Sequence, residues 1–140
     1  MPKVVIDTNV LVSGLKSRRG MSFKLLSRLG EEKFLPVISV PLVVEYEDVL
    51  KRRTMNFPLT DKDIDEVLNY FCSIAEHRRI HNLWRPFLKD PKDDMVLELA
   101  VESGSKLVIT YNAKDFQGSE KFGVEIIRPG EFLKRIGEIE

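Results

Sequence analysis

Acidic residues stand beside several predicted strand ends, where side chains can bind a metal ion or move a proton. Asp7 directly follows the β-branched run Val4-Val5-Ile6, and further acids stand at Glu45, Asp93 and Asp115. Carboxylates brought together repel one another and raise each other's pKa unless cations are present. Mg²⁺ and Mn²⁺ prefer oxygen ligands, and such ions can activate water and stabilise phosphoryl displacement. The acids therefore point to metal-dependent phosphoryl chemistry.

Asp7 and Glu45 each also have an ordinary structural interpretation. Asp7 has a side chain that commonly caps a helix, and Glu45 can be a solvated surface residue. At about 100° per residue, Glu45 and Glu47 flank the apolar stripe of their helix on opposite sides, so periodicity does not separate them. Glu45 lies about 6 Å along the axis from Pro41, and Glu47 about 9 Å. Because the helix begins at the carboxyl end of its strand, we expect the nearer residue, Glu45, to face the site.

A run of acids around a proline opens another predicted helix. Proline at the first helical position makes Asp90 the cap. Asp93 precedes apolar residues by three, four and seven positions, so we expect it on the inward face and Asp94 on the polar face. An acid on the apolar face is costly unless something there needs it, which favours Asp93 as the site residue. The alternative is that these carboxylates only stabilise the helix N-terminus.

The loop after a third predicted strand carries Thr110, Asn112 and Asp115. Asn and Asp are common turn residues, so a plain loop is the alternative interpretation. Each acidic segment is a weak signal by itself. Because each acid follows a strand or opens a helix, all of them are predicted at the same edge of the sheet, and the combination indicates one site.

Strands alternate with helices along the chain, which is typical of a parallel sheet covered on both faces. We predict strands at residues 4–6, 34–40, 107–110 and 124–127, with a short strand near 79–81. We predict helices at residues 21–29, 41–53, 61–75, 91–104 and 129–136, with Phe23, Leu26 and Leu29 on the inner face of the first. The length suits one domain, so we expect a single three-layer α/β/α sandwich with a mainly parallel central sheet over residues 1–140.

Composition and charge exclude several other classes of protein. Hydrophobic residues make up 43% and charged residues 31%, as in an ordinary globular domain and unlike a disordered chain. Lys and Arg number 22, as do Asp and Glu, so nucleic-acid binding would need a local basic patch. The single Cys72 excludes an internal disulfide and a thiolate zinc site, and we expect a reducing, cytoplasmic setting. No apolar run approaches the roughly 18 residues that span a bilayer, so we expect no membrane association.

Four segments carry a resemblance to a known family: Asp7-Thr8-Asn9-Val10, Glu45, Asp90-Pro91-Lys92-Asp93-Asp94 and Thr110-Tyr111-Asn112-Ala113-Lys114-Asp115-Phe116. In this order, over nearly the whole chain, they resemble the PIN-domain family and, within it, the VapC-like toxins of prokaryotic toxin–antitoxin systems. The resemblance implies a metal-dependent ribonuclease that cuts single-stranded or structured RNA with one or two Mg²⁺ or Mn²⁺ ions. It also implies a homodimer and a small antitoxin partner, whose helix occupies a groove near the acids.

The resemblance assigns roles residue by residue. Four acids match the metal-binding and catalytic positions of the family: Asp7, Glu45, Asp93 and Asp115. Four further residues would support the site: Asn9, Asp90, Thr110 and Asn112. Thr110 would place a hydroxyl near the water or phosphate. Asn112 stands where other family members carry Asp, and a neutral ligand leaves the affinity for a second metal open.

Basic residues close to the acids are the candidates for contacts with RNA phosphates, the alternative being ordinary solvated side chains. They are Lys16, Arg18, Arg19, Lys89 and Lys92. The runner-up function is a catalytically weak PIN-like module that binds RNA or a partner. A receiver-like domain is disfavoured because the strand 34–40 ends without Asp. A haloacid-dehalogenase-type phosphatase is disfavoured because Asn9 stands where it needs Asp.

Three other kinds of residue have simpler interpretations. Trp84 can stack on a base, but packing or an oligomer contact explains it equally well. His77 and His81 have the i, i+4 spacing of metal ligands, and we expect structural roles because no third ligand is near. Cys72 lies on an apolar stripe and is expected in the core.

Overall fold

The first strand of the chain lies in the middle of a parallel sheet. The structure, a computed structural model, describes residues 1–52, 57–80 and 87–140. Its strands are Lys3–Ile6 (β1), Leu35–Ile38 (β2), Glu76–His77 (β3), Leu107–Ile109 (β4) and Glu125–Ile127 (β5). These five strands lie in the order β3-β2-β1-β4-β5, and every neighbouring pair is parallel. The register of β1 against β4 sets Val5 opposite Val108.

Buried β-branched residues explain why β1 and β4 are central. Val4, Val5 and Ile6 are fully buried, as are Val108 and Ile109. Strands that bury both faces belong in the interior of a parallel sheet that helices cover. The prediction of an α/β fold, with a parallel sheet flanked by helices, is confirmed.

Six α-helices surround the sheet in the described part of the chain. They are Thr8–Lys16 (α1), Met21–Leu26 (α2), Val40–Leu50 (α3), Asp61–Ile74 (α4), Pro91–Ser103 (α5) and Pro129–Arg135 (α6). Two short 3₁₀ helices, Ala113–Phe116 and Ser119–Phe122, lie between β4 and β5. α5 packs against β1, β2 and β4, whereas α1 packs against α2 and α3. Within the described residues, no helix has the length and apolar character needed to cross a membrane.

Side-chain caps set the start of the two helices that carry acids into the site. The Ser39 hydroxyl accepts the amide of Leu42 at the start of α3, and Asp90 accepts the amide of Lys92 at the start of α5. Each of these helices has a proline in its first turn, where the fixed φ of proline matches the helical backbone. Gly104 ends α5 with a φ of 72°, a left-handed conformation that glycine adopts without strain. The predicted cap and both ends of α5 are therefore confirmed.

A buried tyrosine ties α3 to the end of β1. The Tyr46 hydroxyl donates a hydrogen bond to the carbonyl oxygen of Ile6. The Tyr46 ring meets Phe71 of α4 edge to face, with 5.6 Å between ring centroids. Tyrosine fits this position because it combines a large apolar ring with a donor that needs a partner when buried. The bond holds Glu45, the neighbour of Tyr46, at the carboxyl edge of the sheet.

The predicted strand near residues 79–81 is wrong, because β3 lies earlier, at Glu76–His77. Ala75 already has extended backbone, so the chain passes from α4 into the strand without a loop. The amide of Arg78 then donates to the carbonyl of Ile38, which completes the pairing with β2. A two-residue edge strand of polar residues has no alternation from which it can be recognised.

The predicted inner face of the helix 21–29 is confirmed for Leu26 and Leu29, which pack against the core, and is wrong for Phe23. Phe23 is 37% exposed, whereas Ser22 and Leu25 are buried. α2 ends at Leu26, so it is too short for its apolar spacing to distinguish two neighbouring faces. α3 ends at Leu50, and the predicted helix end at Arg53 lies outside the described residues, as do His81 and Trp84.

Candidate functional site

The sheet has a topological switch point between β1 and β4. From β1 the chain crosses to β2 on one side, whereas from β4 it crosses to β5 on the other side. In open α/β sheets, ligands bind in the crevice outside the carboxyl ends of the two strands at such a point. Asp7 directly follows β1 and Thr110 directly follows β4, so both residues stand at this crevice.

A cavity of about 660 Å³ opens here, and we call it the acidic cavity. All four acids that were predicted to bind metal line it: Asp7, Glu45, Asp93 and Asp115. Three predicted supporting residues line it as well: Asn9, Asp90 and Asn112. The fold therefore brings together acids from four separate segments of the chain, which is the juxtaposition that the sequence predicts.

Asp7 caps α1 and also faces the acidic cavity. Its Oδ1 accepts the amide of Thr8 at 2.9 Å, and its Oδ2 accepts the Thr110 hydroxyl at 2.8 Å and Asn9 Nδ2 at 3.3 Å. Burial raises the pKa of Asp7 above its ordinary value, although the hydrogen bonds from Thr110 and Thr8 oppose this shift. Nearby carboxylates, Asp115 foremost, raise the pKa further. The helix-cap and site interpretations of Asp7 are thus compatible.

The Thr110 hydroxyl joins the ends of β1 and β4. It donates to Asp7 Oδ2 at 2.8 Å and accepts Asn9 Nδ2 at 3.0 Å and the amide of Asn112 at 3.1 Å. A hydroxyl has one proton to donate and two lone pairs, so these three bonds use its whole capacity. Thr110 is also fully buried. The expectation that its hydroxyl faces the water or phosphate is therefore wrong, and Thr110 instead positions Asp7, Asn9 and Asn112.

Asp93 is half-buried in the first turn of α5 and lines the acidic cavity. Burial, followed by the negative charges of Asp7, Asp90 and Asp115, raises its pKa to about 7. Burial and the neighbouring negative charges both favour the protonated form of this carboxyl.

The polar-face prediction for Asp94 is wrong. Asp94 is only 7% exposed. Its Oδ1 accepts the amide of Leu88 at 2.8 Å and the amide of Phe87 at 3.3 Å. Helical phase could not reveal this burial, because the partners belong to the segment before the helix. Asp94 anchors that segment, and Asp93 is the acid of this pair that lines the cavity.

Glu45, and not Glu47, lines the acidic cavity. The Glu45 side chain is 16% exposed, and its Oε1 lies 3.4 Å from Lys92 Nζ. Glu47 points to the surface and pairs with Lys51 at 3.5 Å. The argument from distance along the helix therefore selected the glutamate that faces the cavity, and it did not anticipate the lysine opposite.

A second cavity of about 580 Å³, which we call the side cavity, adjoins the first. Asp90, Asp93 and Asp115 line both cavities, so these acids lie between them. Four more polar or aromatic residues line the side cavity: Phe87, Lys89, Lys114 and Gln117. Three of these, Phe87, Lys114 and Gln117, were missed from the sequence, although Lys114 directly precedes a predicted acid.

The predicted RNA contacts divide between these surfaces. Lys16 and Lys92 line the acidic cavity, and Lys89 lines the side cavity. Arg18 and Arg19 are exposed and line neither of these two cavities. Lysines therefore stand on both sides of the shared acids, where an approaching phosphate backbone would need positive charge.

The donors of the acidic cavity fit a hydrated hard cation. Among residues 1–52, 57–80 and 87–140, no three His, Cys, Asp or Glu side chains are close enough to form a ready-made metal cage. Mg²⁺ keeps several waters and usually binds one or two carboxylates together with substrate phosphates, so a ready-made cage is not required. The acids of the cavity offer only oxygen ligands, which suit Mg²⁺ or Mn²⁺ and not a thiolate zinc site.

The fold and cavity define an α/β protein with an acidic cleft at the switch point of a parallel sheet. The family model PIN_3, described as PIN domain, matches residues 3–114. The chain therefore belongs to the PIN domain family, whose members typically bind divalent metals and whose membership suggests nuclease activity. A search of curated proteins found no match. The family match includes Asp7, Glu45 and Asp93 and ends one residue before Asp115.

Proposed function

We propose that this protein is a metal-dependent endoribonuclease that hydrolyses phosphodiester bonds in single-stranded or structured RNA. The observation that carries the proposal is the acidic cavity, where Asp7, Glu45, Asp93 and Asp115 converge at the switch point of the sheet. Membership of the PIN domain family agrees with this assignment. After burial, neighbouring carboxylates contribute to the raised pKa values of Asp7 and Asp93, and repulsion between carboxylates favours cation binding.

Each acid has a separate part in the proposal. Asp7, Glu45 and Asp93 would hold one or two Mg²⁺ or Mn²⁺ ions, directly or through water. Asp115 would add a fourth negative charge to the lining of the acidic cavity. A bound ion of this kind polarises a phosphate oxygen and lowers the pKa of a water that it coordinates. Thr110 and Asn9 keep the Asp7 carboxylate in one orientation through their hydrogen bonds. Because these ligands are already oriented, the site does not need to reorganise during the reaction.

Lysines would place the RNA backbone against the acids. Lys16 and Lys92 line the acidic cavity, and Lys89 and Lys114 line the side cavity. The Lys92 ammonium group already lies near Glu45, so it would have to share that carboxylate with an incoming metal ion or turn toward the substrate phosphate. Phosphate contacts position a nucleic acid without reading its sequence.

The proposal extends to biological context. We propose that the nuclease is the toxin of a toxin–antitoxin pair, forms a homodimer in the cytoplasm and is restrained by a small antitoxin. Support comes from the resemblance of the four acidic segments to VapC-like toxins. Light scattering of the purified protein tests the dimer, and growth arrest on induced expression, relieved by an antitoxin-like neighbouring gene, tests the toxin role.

A cleavage assay tests the nuclease directly. Labelled RNA with single-stranded and hairpin regions is incubated with the purified protein and Mn²⁺, Mg²⁺ or EDTA. We expect cleavage with Mn²⁺ or Mg²⁺, none in EDTA, and loss of cleavage in Asp7→Asn, because Asn keeps the helix cap but removes the charge. The matched control is Asp61→Asn, which changes an exposed acid of α4 outside both cavities. Equal cleavage in EDTA, or by Asp7→Asn, contradicts the proposal.

One observation favours the alternative of a catalytically weak module that binds RNA or a partner. The Lys92 ammonium group lies 3.4 Å from Glu45 Oε1, so the negative charge of one proposed metal ligand is already partly balanced. The same assay separates the two functions, because a binding module would retain RNA in a filter-binding measurement without cutting it at any Mn²⁺ concentration.

A further inference from the structure

The side cavity contains an exposed aromatic ring next to the shared acids. Phe87 is 40% exposed and lines this cavity. Asp90, Asp93 and Asp115 separate the side cavity from the acidic cavity. The neighbouring Phe122 is 39% exposed, and its ring centroid lies 5.0 Å from that of Phe87, so the two rings form one exposed aromatic patch beside the acids.

Three contacts hold the Phe87 ring in place. Its edge-to-face partner is Phe122, with 5.0 Å between ring centroids and 86° between ring planes. The Phe87 amide donates to Asp94 at 3.3 Å, which fixes the backbone of the ring. Gly118 lies against the ring, since a Cβ added there would be only 2.8 Å from Phe87 Cζ. Phe122, Gly118 and the backbone bond therefore hold the ring in place, while part of it stays open to solvent.

Charges of both signs lie near this ring, because Lys89 and Lys114 line the side cavity together with the three shared acids. Lys121 Nζ lies over the ring, 6.0 Å from the ring centroid, so a stacked base takes the opposite face or displaces this lysine. The amide side chain of Gln117 lines the same cavity. An aromatic platform with cations near it matches an unpaired nucleotide, whose base stacks on a ring while its phosphates need positive partners. A duplex cannot offer a base face in this way, because its bases are already stacked on one another.

We propose that the side cavity is a nucleotide subsite, in which the base of one unpaired RNA nucleotide stacks on Phe87 while Lys89 and Lys114 contact its phosphates. This inference rests on the proposed ribonuclease function and deepens it, because it makes the substrate single-stranded at the cleavage site. The nucleotide in this subsite would adjoin the one whose phosphate meets the acids.

Binding measured without cleavage tests the subsite. Fluorescence anisotropy in EDTA compares oligoadenylate, an abasic oligoribonucleotide of equal length and a blunt-ended RNA duplex with no unpaired bases. We expect the wild type to prefer oligoadenylate over both others. Phe87→Leu keeps the apolar volume but loses the flat ring, so we expect about 5- to 150-fold weaker binding of oligoadenylate and little change for the abasic chain. Phe87→Tyr should restore the preference.

Control variants separate stacking from charge and from folding. Phe23→Ala removes a ring of similar exposure on α2, outside both cavities, and should leave all affinities unchanged. Lys114→Ala should weaken oligoadenylate and abasic RNA alike and reduce the salt dependence of binding by about one charge. Thermal unfolding of each variant confirms that it folds.

The outcomes distinguish the subsite from the nuclease. If the wild type cleaves RNA with Mn²⁺ but Phe87→Leu keeps the wild-type preference for bases, the subsite is wrong and the nuclease stands. If binding depends on Phe87 but no metal supports cleavage, the subsite stands and the nuclease is wrong. Equal affinity of the wild type for oligoadenylate and abasic RNA overturns the subsite in either situation.

Discussion

Replacing Thr110 by Val tests whether one hydroxyl organises the acidic cavity. Val has nearly the shape of Thr, so the change removes the hydroxyl without opening a cavity. The bond lost to the Asp7 carboxylate is one to a charged group, which is typically worth about 1.5–3 kcal/mol. The other two bonds matter less, because Asn9 still donates to Asp7 and the amide of the exposed Asn112 can reach water. We therefore expect a loss of about 2 kcal/mol in the free energy of unfolding.

The loss should also depend on pH. The Thr110 bond lowers the pKa of Asp7, which means that it stabilises the ionised carboxylate more than the protonated one. In the Thr110→Val variant the pKa of Asp7 therefore rises further. The destabilisation is then largest at pH 8, where Asp7 is ionised, and smaller at pH 4.

Urea denaturation of the wild type, Thr110→Val and Thr110→Ser at both pH values is the assay. Thr110→Ser keeps the hydroxyl and loses one buried methyl group, so we expect a loss of about 1 kcal/mol at both pH values. A double-mutant cycle with Asp7→Asn isolates the coupling between the two side chains. A Thr110→Val loss below about 0.5 kcal/mol at pH 8, the level of an ordinary surface change, refutes the reasoning.

Three further predictions concern charged residues of the site. Without divalent cations, the contribution of Asp93 to stability should fall as pH rises from about 4 to about 7, because its folded-state pKa is raised to about 7 and the folded protein holds its proton longer. In urea denaturation across this pH range, Asp93→Asn should therefore lose less stability with rising pH than the wild type does. Asp94→Ala should lower the free energy of unfolding by about 3 kcal/mol, measured by urea denaturation, because two amides lose a buried charged acceptor; a loss typical of a surface residue would contradict its anchoring role. Lys92→Ala should tighten Mn²⁺ binding up to about fivefold in calorimetry, since the ion pair of Glu45 with the exposed Lys92 side chain is worth about 1 kcal/mol. Unchanged affinity would show that this lysine does not compete with the metal.

Local chemistry explains what the sequence predicts well. A β-branched run followed by an acid identifies β1 and Asp7, because few other elements tolerate such a run. Asp90, the proline after it and Gly104 mark both ends of α5, because each has a specific role at a helix end. The meeting of the four acids in one cavity follows from these elements, because parallel strands all end at one edge.

Other features depend on contacts that no local pattern records. Asp94 is buried because its partners are the amides of Phe87 and Leu88. These amides lie before α5, so the helical periodicity of α5 could not predict the burial. The role of Thr110 depends on Asn9, which lies 101 residues away in the chain. β3 is a short edge strand whose position is set by pairing with β2 and not by its own composition. Long-range hydrogen bonds of this kind appear only when the fold is known.

The pairing of β1 with β4 also determines when the acidic cavity can form during synthesis. Asp7 receives its bond from Thr110 across 103 residues of chain, so the cavity cannot assemble until β4 has left the ribosome. Contacts of such sequence separation form late and slow the folding of a domain. A nascent chain surrounded by ribosomal RNA therefore carries Asp7 without its Thr110 partner until β4 has been made. A nuclease of the proposed kind would therefore stay inactive toward the ribosome that makes it until Thr110 has emerged.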